Sequence, residues 1–136
     1  MDDLASAIQA SAAGLRAQSG RLRVTAENIA NAQSTGSTPG ADPYRRQVPI
    51  FDSAFDRALG AEVVRLRGVR PDPTPFELRF DPGHPAADAE GYVKLPNVNA
   101  LVEMMDLREA QRSYEANLGV VDAARAMAGA TLRILG

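Results

Sequence analysis

The chain has 136 residues, with 15 basic and 17 acidic side chains and a formal net charge of −2. This length suits one compact domain or one extended subunit, and the near balance of charge argues against a protein that binds nucleic acid through the phosphate backbone. No cysteine is present, which excludes thiol catalysis, disulfide frameworks and zinc sites built on cysteine.

The N-terminal segment does not look like a secretory signal or a membrane span. Residues 4–15 are uncharged but rich in alanine and serine, and Asp2 and Asp3 precede them where a signal peptide would carry positive charge. Charged residues interrupt every other long apolar stretch. We therefore expect no direct membrane insertion, and export without a cleaved signal peptide if the protein leaves the cytoplasm.

Residues 1–35 form the first of three regions, and their pattern predicts a long amphipathic helix with Asp2 or Asp3 as its cap. Apolar side chains recur at every seventh position, namely at Met1, Ile8, Leu15, Leu22 and Ile29. The polar, glycine- and proline-containing segment 33–40 ends the helix.

Residues 36–96 predict a small β-rich middle region. Phe76, Leu78 and Phe80 alternate with charged residues, and Val64 and Leu66 do the same, which is the period of a strand. Residues 51–59, closed by Gly60, are interpreted as a short helix. Arg45 and Arg46 are interpreted as the solvated start of a strand, with an interface patch as the alternative.

Residues 97–136 predict a second long helix. Asn97 or Asn99 can cap it, Pro96 stands just before, and Glu103 lies in the first turn, where a negative charge is favourable. Its stripe advances by alternating threes and fours through Met104, Leu107, Gln111, Tyr114, Leu118, Val121, Arg125, Ala128, Leu132 and Leu135. The predicted fold is therefore α+β: two long terminal helices form an antiparallel coiled coil, the axial core, around a small β-rich middle.

These stripes suggest a protein that polymerises. A helix of about 35 residues spans about 50 Å, and its stripe presents apolar surface that one partner helix cannot fully cover. Because alanine buries little apolar area, the packing of a single helix pair offsets only part of the conformational entropy that the chain loses when the helices become ordered. We therefore hypothesise that the termini are largely disordered in the free monomer and fold on assembly.

No arrangement of residues predicts catalysis, a cofactor or a metal. His84 is the only histidine, it lies in a proline- and glycine-rich turn, and no metal-ligand spacing surrounds it. No nucleophile elbow is present either. Asn28 and Asn31 have two readings from residue type alone: hydrogen bonding at a packed helix end, or a solvated helix end.

Several segments resemble one known family. The runs at 11–15 (SAAGL) and 26–32 (AENIANA) resemble the N-terminal signature of the flagellar axial family, which comprises rod, hook and hook-associated proteins. Segments 43–47, 81–85, 91–99 and 110–117 resemble the proximal-rod members in order and spacing. The motif positions that we single out as functional are Asn28, Asn31, Pro96, Asn97, Asn99, Glu103, Arg112 and Asn117.

The resemblance implies a structural subunit of the flagellar basal body, located in the periplasmic rod. It implies passage through the flagellar export apparatus, unfolded and uncleaved, and stacking with copies of itself and other rod proteins into a helical, torque-transmitting tube. No nucleic acid and no small-molecule substrate are expected. The alternative is a soluble coiled-coil export adaptor or chaperone, which should remain a small complex instead of forming a polymer.

Overall fold

The computed structural model describes residues 2–136, so Met1 of the predicted N-terminal stripe lies outside the described residues. Two long helices enclose four strands in the sequence, and the predicted α+β class is confirmed. The elements in chain order are α1 (Asp2–Ala30), β1 (Gln47–Asp56), β2 (Ala61–Pro71), β3 (Glu77–Phe80), β4 (Tyr92–Leu95) and α2 (Ala100–Leu135).

Residue contacts divide the chain into two compact units, and each unit draws on all three sequence regions. The first unit comprises residues 2–22, Pro49–Gly68 and Arg108–Gly136. The second unit comprises Arg23–Val48 and Val69–Leu107. Both long helices therefore contribute residues to both units.

In the first unit, α1 and α2 pack in antiparallel directions. Gly14 faces Asn117 so closely that a Cβ atom on Gly14 would lie 2.9 Å from the Asn117 Oδ1 atom. Seven residues further along α1, Arg21 lies 3.5 Å from Glu109, which is eight residues earlier on α2. The absence of a side chain at Gly14 thus permits a close approach of the two helices.

The β1–β2 hairpin replaces the short helix that we expected at residues 51–59, so that prediction is wrong. Strand β1 continues to Asp56, and a turn follows in which the Asp56 carboxylate accepts hydrogen bonds from the backbone N–H groups of Ala58 and Leu59. Gly60 then adopts a left-handed φ of 66°. Pairing with β2 supplies backbone partners that a short, isolated helix lacks.

In the second unit, β3 and β4 form an antiparallel pair in which Glu77 lies opposite Leu95 and Phe80 opposite Tyr92. The predicted strand at 76–80 is confirmed. One face of this pair buries Val93 completely, whereas Phe80 and Tyr92 on the other face are exposed. Their rings make an edge-on contact with centroids 5.4 Å apart.

Gly91 closes the loop between β3 and β4, and we expect Gly91→Ala to lower the free energy of unfolding by about 1–2 kcal/mol. Its φ is 88°, and an added Cβ would lie 2.9 Å from a Phe80 ring carbon. The matched control is Gly83→Ala in the same loop, where an added Cβ meets no atom within 4 Å. Urea denaturation followed by tyrosine fluorescence measures both variants, and equal losses would contradict the conformational argument.

Candidate functional site

A connected network of polar side chains lies in the second unit and begins at Asn28, near the end of α1. The Asn28 side chain is 1% exposed and forms a two-way bridge to Gln47. Its Nδ2 donates to the Gln47 carbonyl at 2.8 Å, and its Oδ1 accepts from the Gln47 N–H at 2.9 Å. The Tyr44 hydroxyl also donates to Oδ1, at 2.7 Å. Asn28 therefore joins α1 to the start of β1, as expected of a packed helix end.

Glu103, in the first turn of α2, is the largest side chain that the described residues bury almost completely, at 1% exposure. The Arg46 guanidinium donates from Nε to the Glu103 carboxylate and from Nη1 to Asp72 at 3.2 Å. A second carboxylate of α2, Asp106, lies 3.9 Å from Nη2. One guanidinium thus interacts with three carboxylates, and these interactions offset the unfavourable free energy of burying the Glu103 carboxylate.

These contacts change the pKa values of the groups concerned. Burial alone would lower the pKa of Arg46, but the hydrogen bonds and charges of Glu103 and Asp72 outweigh it and raise that pKa. Hydrogen bonds from the Thr74 hydroxyl and backbone, and then from Arg46, lower the pKa of Asp72. Burial, followed by the negative charges of Glu27 and Glu103, raises the pKa of Tyr44. The ionised forms of Arg46 and Asp72 are therefore the stable ones at neutral pH.

Asn97 and Asn99, which precede α2, form different kinds of hydrogen bonds. Asn99 is the cap, because its Oδ1 accepts the N–H groups of Leu101 at 3.1 Å and Val102 at 3.4 Å. Asn97 instead ties loops together: its Oδ1 accepts from the Arg46 N–H at 2.7 Å, and its Nδ2 donates to the Asp72 carbonyl at 3.0 Å. We call the connected set the polar junction; its members are Asn28, Tyr44, Arg46, Gln47, Asp72, Asn97 and Glu103.

The interpretation of Arg45 and Arg46 as solvated residues is wrong. Arg46 is half-buried in the polar junction, and Arg45 lies over the Phe76 ring, with its guanidinium carbon 4.0 Å from the ring centroid. Arg45 also donates to the Asp72 carbonyl at 2.8 Å. Tyr44, Arg46 and Asp72 were not among our predicted site residues. Tyr44 and Arg46 lie in the 43–47 segment that resembles the flagellar axial family, and this resemblance was the one feature of the sequence that could have pointed to them.

The other motif residues have more local roles. Asn31 donates to the Glu27 carbonyl at 2.9 Å, within the last turn of α1. Asn117 donates to the Ser113 carbonyl at 3.0 Å, and its side chain covers Gly14. Pro96 is buried, whereas Arg112 is exposed.

The predicted assembly stripes are unevenly covered within the single chain. Ile8, Leu15, Leu22 and Ile29 on α1 are half-buried, as are Leu107 and Tyr114 on α2. Val121 is buried, whereas Met104, Leu118, Leu132 and Leu135 are exposed. The positions that α2 buries most are instead Glu103, Ala110, Val121 and Ala124. Small and polar side chains therefore face inward, and several of the large stripe residues remain accessible. Their contact with other subunits stays a prediction.

His84 is a turn residue in this structure. Its Nδ1 accepts a hydrogen bond from the Ala86 N–H at 3.0 Å, and its Nε2 lies 3.2 Å from the Thr35 hydroxyl. Within residues 2–136, no three histidine, aspartate or glutamate side chains lie together in a way that could hold a metal ion. Neither helix described is long and apolar enough to cross a membrane.

Comparison with known proteins places this chain in the class of flagellar rod proteins. A family model described as "Flagellar basal body rod FlgEFG protein C-terminal" matches residues 89–134, which include the loop with Asn97 and Asn99 and all of α2 except its last residue. The flagellar basal-body rod protein FlgC of Agrobacterium fabrum is 50% identical over 135 residues, covering 99% of this chain and 97% of that protein.

Two further relatives have the same name. FlgC of Borreliella burgdorferi is 39% identical over 97% of both chains. FlgC of Salmonella typhimurium is 42% identical over 88% of this chain and 89% of its own length. The chain belongs to the FlgC family of flagellar basal-body rod proteins. These relatives give no support to the adaptor or chaperone alternative.

Glu103→Ala should lower the free energy of unfolding by about 2–4 kcal/mol, because it removes a buried carboxylate and leaves the Arg46 guanidinium with fewer partners. Glu103→Gln, which keeps the shape and one acceptor, should cost less than the alanine substitution. Urea denaturation followed by tyrosine fluorescence gives both values.

The control is Asp42→Ala, which breaks the exposed pair between Lys94 and Asp42, 2.9 Å apart in the same unit. We expect a loss below about 1 kcal/mol for this variant. If Glu103→Ala were as mild as Asp42→Ala, the polar junction would not be a major source of stability.

Proposed function

We propose that this chain is a structural subunit of the proximal rod of the flagellar basal body and has no catalytic activity. In this proposal, copies of the chain polymerise through their terminal helices into a helical shaft that transmits torque. The observation that carries the proposal is the exposed apolar surface of α2 in a chain that belongs to the FlgC family. Met104, Leu118, Leu132 and Leu135 are between 42% and 77% exposed.

The energetic argument concerns what these side chains gain in an assembly. Full burial of a leucine or methionine side chain is worth about 1.5–3 kcal/mol relative to full exposure. The single chain leaves much of that gain unrealised on α2, and a neighbouring helix can supply it. A head-to-tail contact between unlike surfaces that does not close into a ring produces a helical filament, which is the geometry of a shaft.

The proposal includes the environment and the partners of the subunit. It is exported through the flagellar export apparatus without cleavage of a signal peptide, and it takes its place in the periplasmic part of the rod. Its partners are copies of itself and other rod proteins. Supporting this route, the residues of α1 and α2 that are buried in the first unit are mostly small, such as Ala13, Ala17, Ala110 and Ala124, so little burial energy opposes passage through a channel in unfolded form.

Leu118→Asp should give a chain that is soluble but absent from rods, because a charge on the α2 stripe cannot be buried in a contact between helices without a partner. Leu118 is 42% exposed, so the substitution should change the fold of the single chain little. Fractionation of basal bodies and swimming assays in a strain that depends on this chain measure the effect. Leu118→Met is the matched control and should assemble normally. Wild-type motility from Leu118→Asp would contradict the assembly role of this stripe.

Amide hydrogen exchange should proceed at different rates in the two units of the dilute, free chain. We expect rapid exchange along the helical residues 4–22 and 108–135, because small buried side chains stabilise this packing weakly. The backbone N–H groups of Arg46 and Gln47, which donate to Asn97 and Asn28, should exchange more slowly. Equal, slow exchange in both sets would refute the idea that the terminal helices become fully ordered only on assembly.

A further inference from the structure

Beside the stripe that includes Leu118 and Leu132, the C-terminal half of α2 has three further faces. One face packs within the first unit through Val121 and Ala124, and a second carries the charged residues Glu115, Asp122 and Arg133. The third face follows steps of four and three residues and has no charge between its ends. We define it by Ala116, Val120, Ala123, Met127, Ala130 and Ile134.

The third face is open in the single chain although it is apolar. Val120 is 47% exposed, Met127 62% and Ile134 85%. Exposed apolar residues that follow one face of a helix mark an interaction surface more often than scattered ones do. Because the face lacks charge, the partner that fits it is apolar, and a charged polymer such as nucleic acid does not.

The spacing of small and large residues indicates which partner fits. Alanine occurs at every seventh position, at 116, 123 and 130, which leaves gaps about 10.5 Å apart along the helix. On α1, Ile8, Leu15 and Leu22 are also seven residues apart and are half-buried. Large side chains at this interval match small gaps at the same interval, as in knobs-into-holes packing.

The α1 helix of the same chain does not fill these gaps. Within the first unit, α1 approaches α2 at Asn117, opposite Gly14. Asn117 lies about 100° around the helix from Ala116, so the intramolecular contact uses a different face. This contact therefore leaves Val120, Met127 and Ile134 exposed and open to another molecule.

We propose that the third face of α2 in one copy receives the Ile8–Leu15–Leu22 stripe of α1 from a second copy. This inference rests on the proposed function and specifies one of the contacts that the polymer requires. The two surfaces are different, so the contact is heterologous and propagates from copy to copy instead of closing a dimer.

The contact between the third face and the α1 stripe is too small to hold two copies together without the other contacts of an assembly. From residue 116 to residue 134 the helix rises about 27 Å, and a strip about 10 Å wide covers roughly 300 Å² on each partner. A stable isolated pair buries about 800 Å² on each partner. This contact therefore does not hold a dimer in dilute solution, and it forms where several contacts act together.

Cysteine cross-linking tests the inference directly, because the chain contains no cysteine of its own. A strain produces two versions of the chain, one with Leu15→Cys and the other with Ala123→Cys, so that only a contact between copies yields a disulfide. We expect a cross-linked dimer in basal bodies isolated under oxidising conditions. The matched control replaces Ala123→Cys with Asp122→Cys, which is also exposed but points about 100° away, and should give no dimer.

The outcomes separate this inference from the proposed function. Basal bodies that contain the chain but cross-link through position 122, or not through position 123, would overturn the inference and leave the rod function intact. Absence of the wild-type chain from basal bodies would overturn both. As a second measurement, Ala123→Leu fills a gap on an exposed face and should reduce incorporation at least about tenfold. Normal incorporation of that variant would also overturn the inference.

Discussion

The burial of Glu103 is the constraint on which the rest of the second unit depends. A carboxylate that is 1% exposed needs a cation and hydrogen-bond donors in fixed positions, or its burial becomes strongly unfavourable. Arg46 provides the cation, and Arg46 is in turn held by Asp72 and by the bond from its N–H to Asn97. The start of β1, the loop at 72–74 and the first turn of α2 are therefore fixed together by one charged group.

The first unit is stabilised in a different way. Its helices approach closely because Gly14 has no side chain, and Ala13, Ala17 and Ala124 are among its buried residues. Such residues permit tight packing but remove little apolar area from water. The large apolar residues of α2 lie mainly on other faces, where the chain itself does not cover them. The second unit thus contains a buried network of polar groups. Both units retain exposed apolar side chains, such as Met104 in the second unit and Met127 in the first.

The sequence predicted the two helices, the class of fold and a cap at Asn97 or Asn99, of which the structure uses Asn99, because each depends on local periodicity or local hydrogen bonding. It predicted the strands at Val64–Leu66 and Phe76–Phe80 for the same reason. It failed at residues 51–59, where pairing with β2 decides the structure, and at Arg46, whose three carboxylate partners are distant in the sequence. The stripe on α2 was expected at Met104 and Leu118, whereas Glu103 and Asn117 occupy the inner positions. A hydrophobic pattern assigns large residues to the interior and cannot recognise an interior built from alanine and a carboxylate that pairs with an arginine.

The placement of small and polar residues on the inner face of α2, with large apolar residues outside, has a consequence for a subunit that joins a polymer. If the large apolar residues were buried within the chain, the monomer would be more stable, but its helices would have little left to offer to a neighbour. Because the inner face of α2 uses small and polar residues, the gain from burying Leu118, Met127 and Leu132 is available only between molecules. The polar junction specifies the fold of one copy through charge and hydrogen bonding. In the proposed rod, the drive to associate comes from a separate set of residues on the same helix.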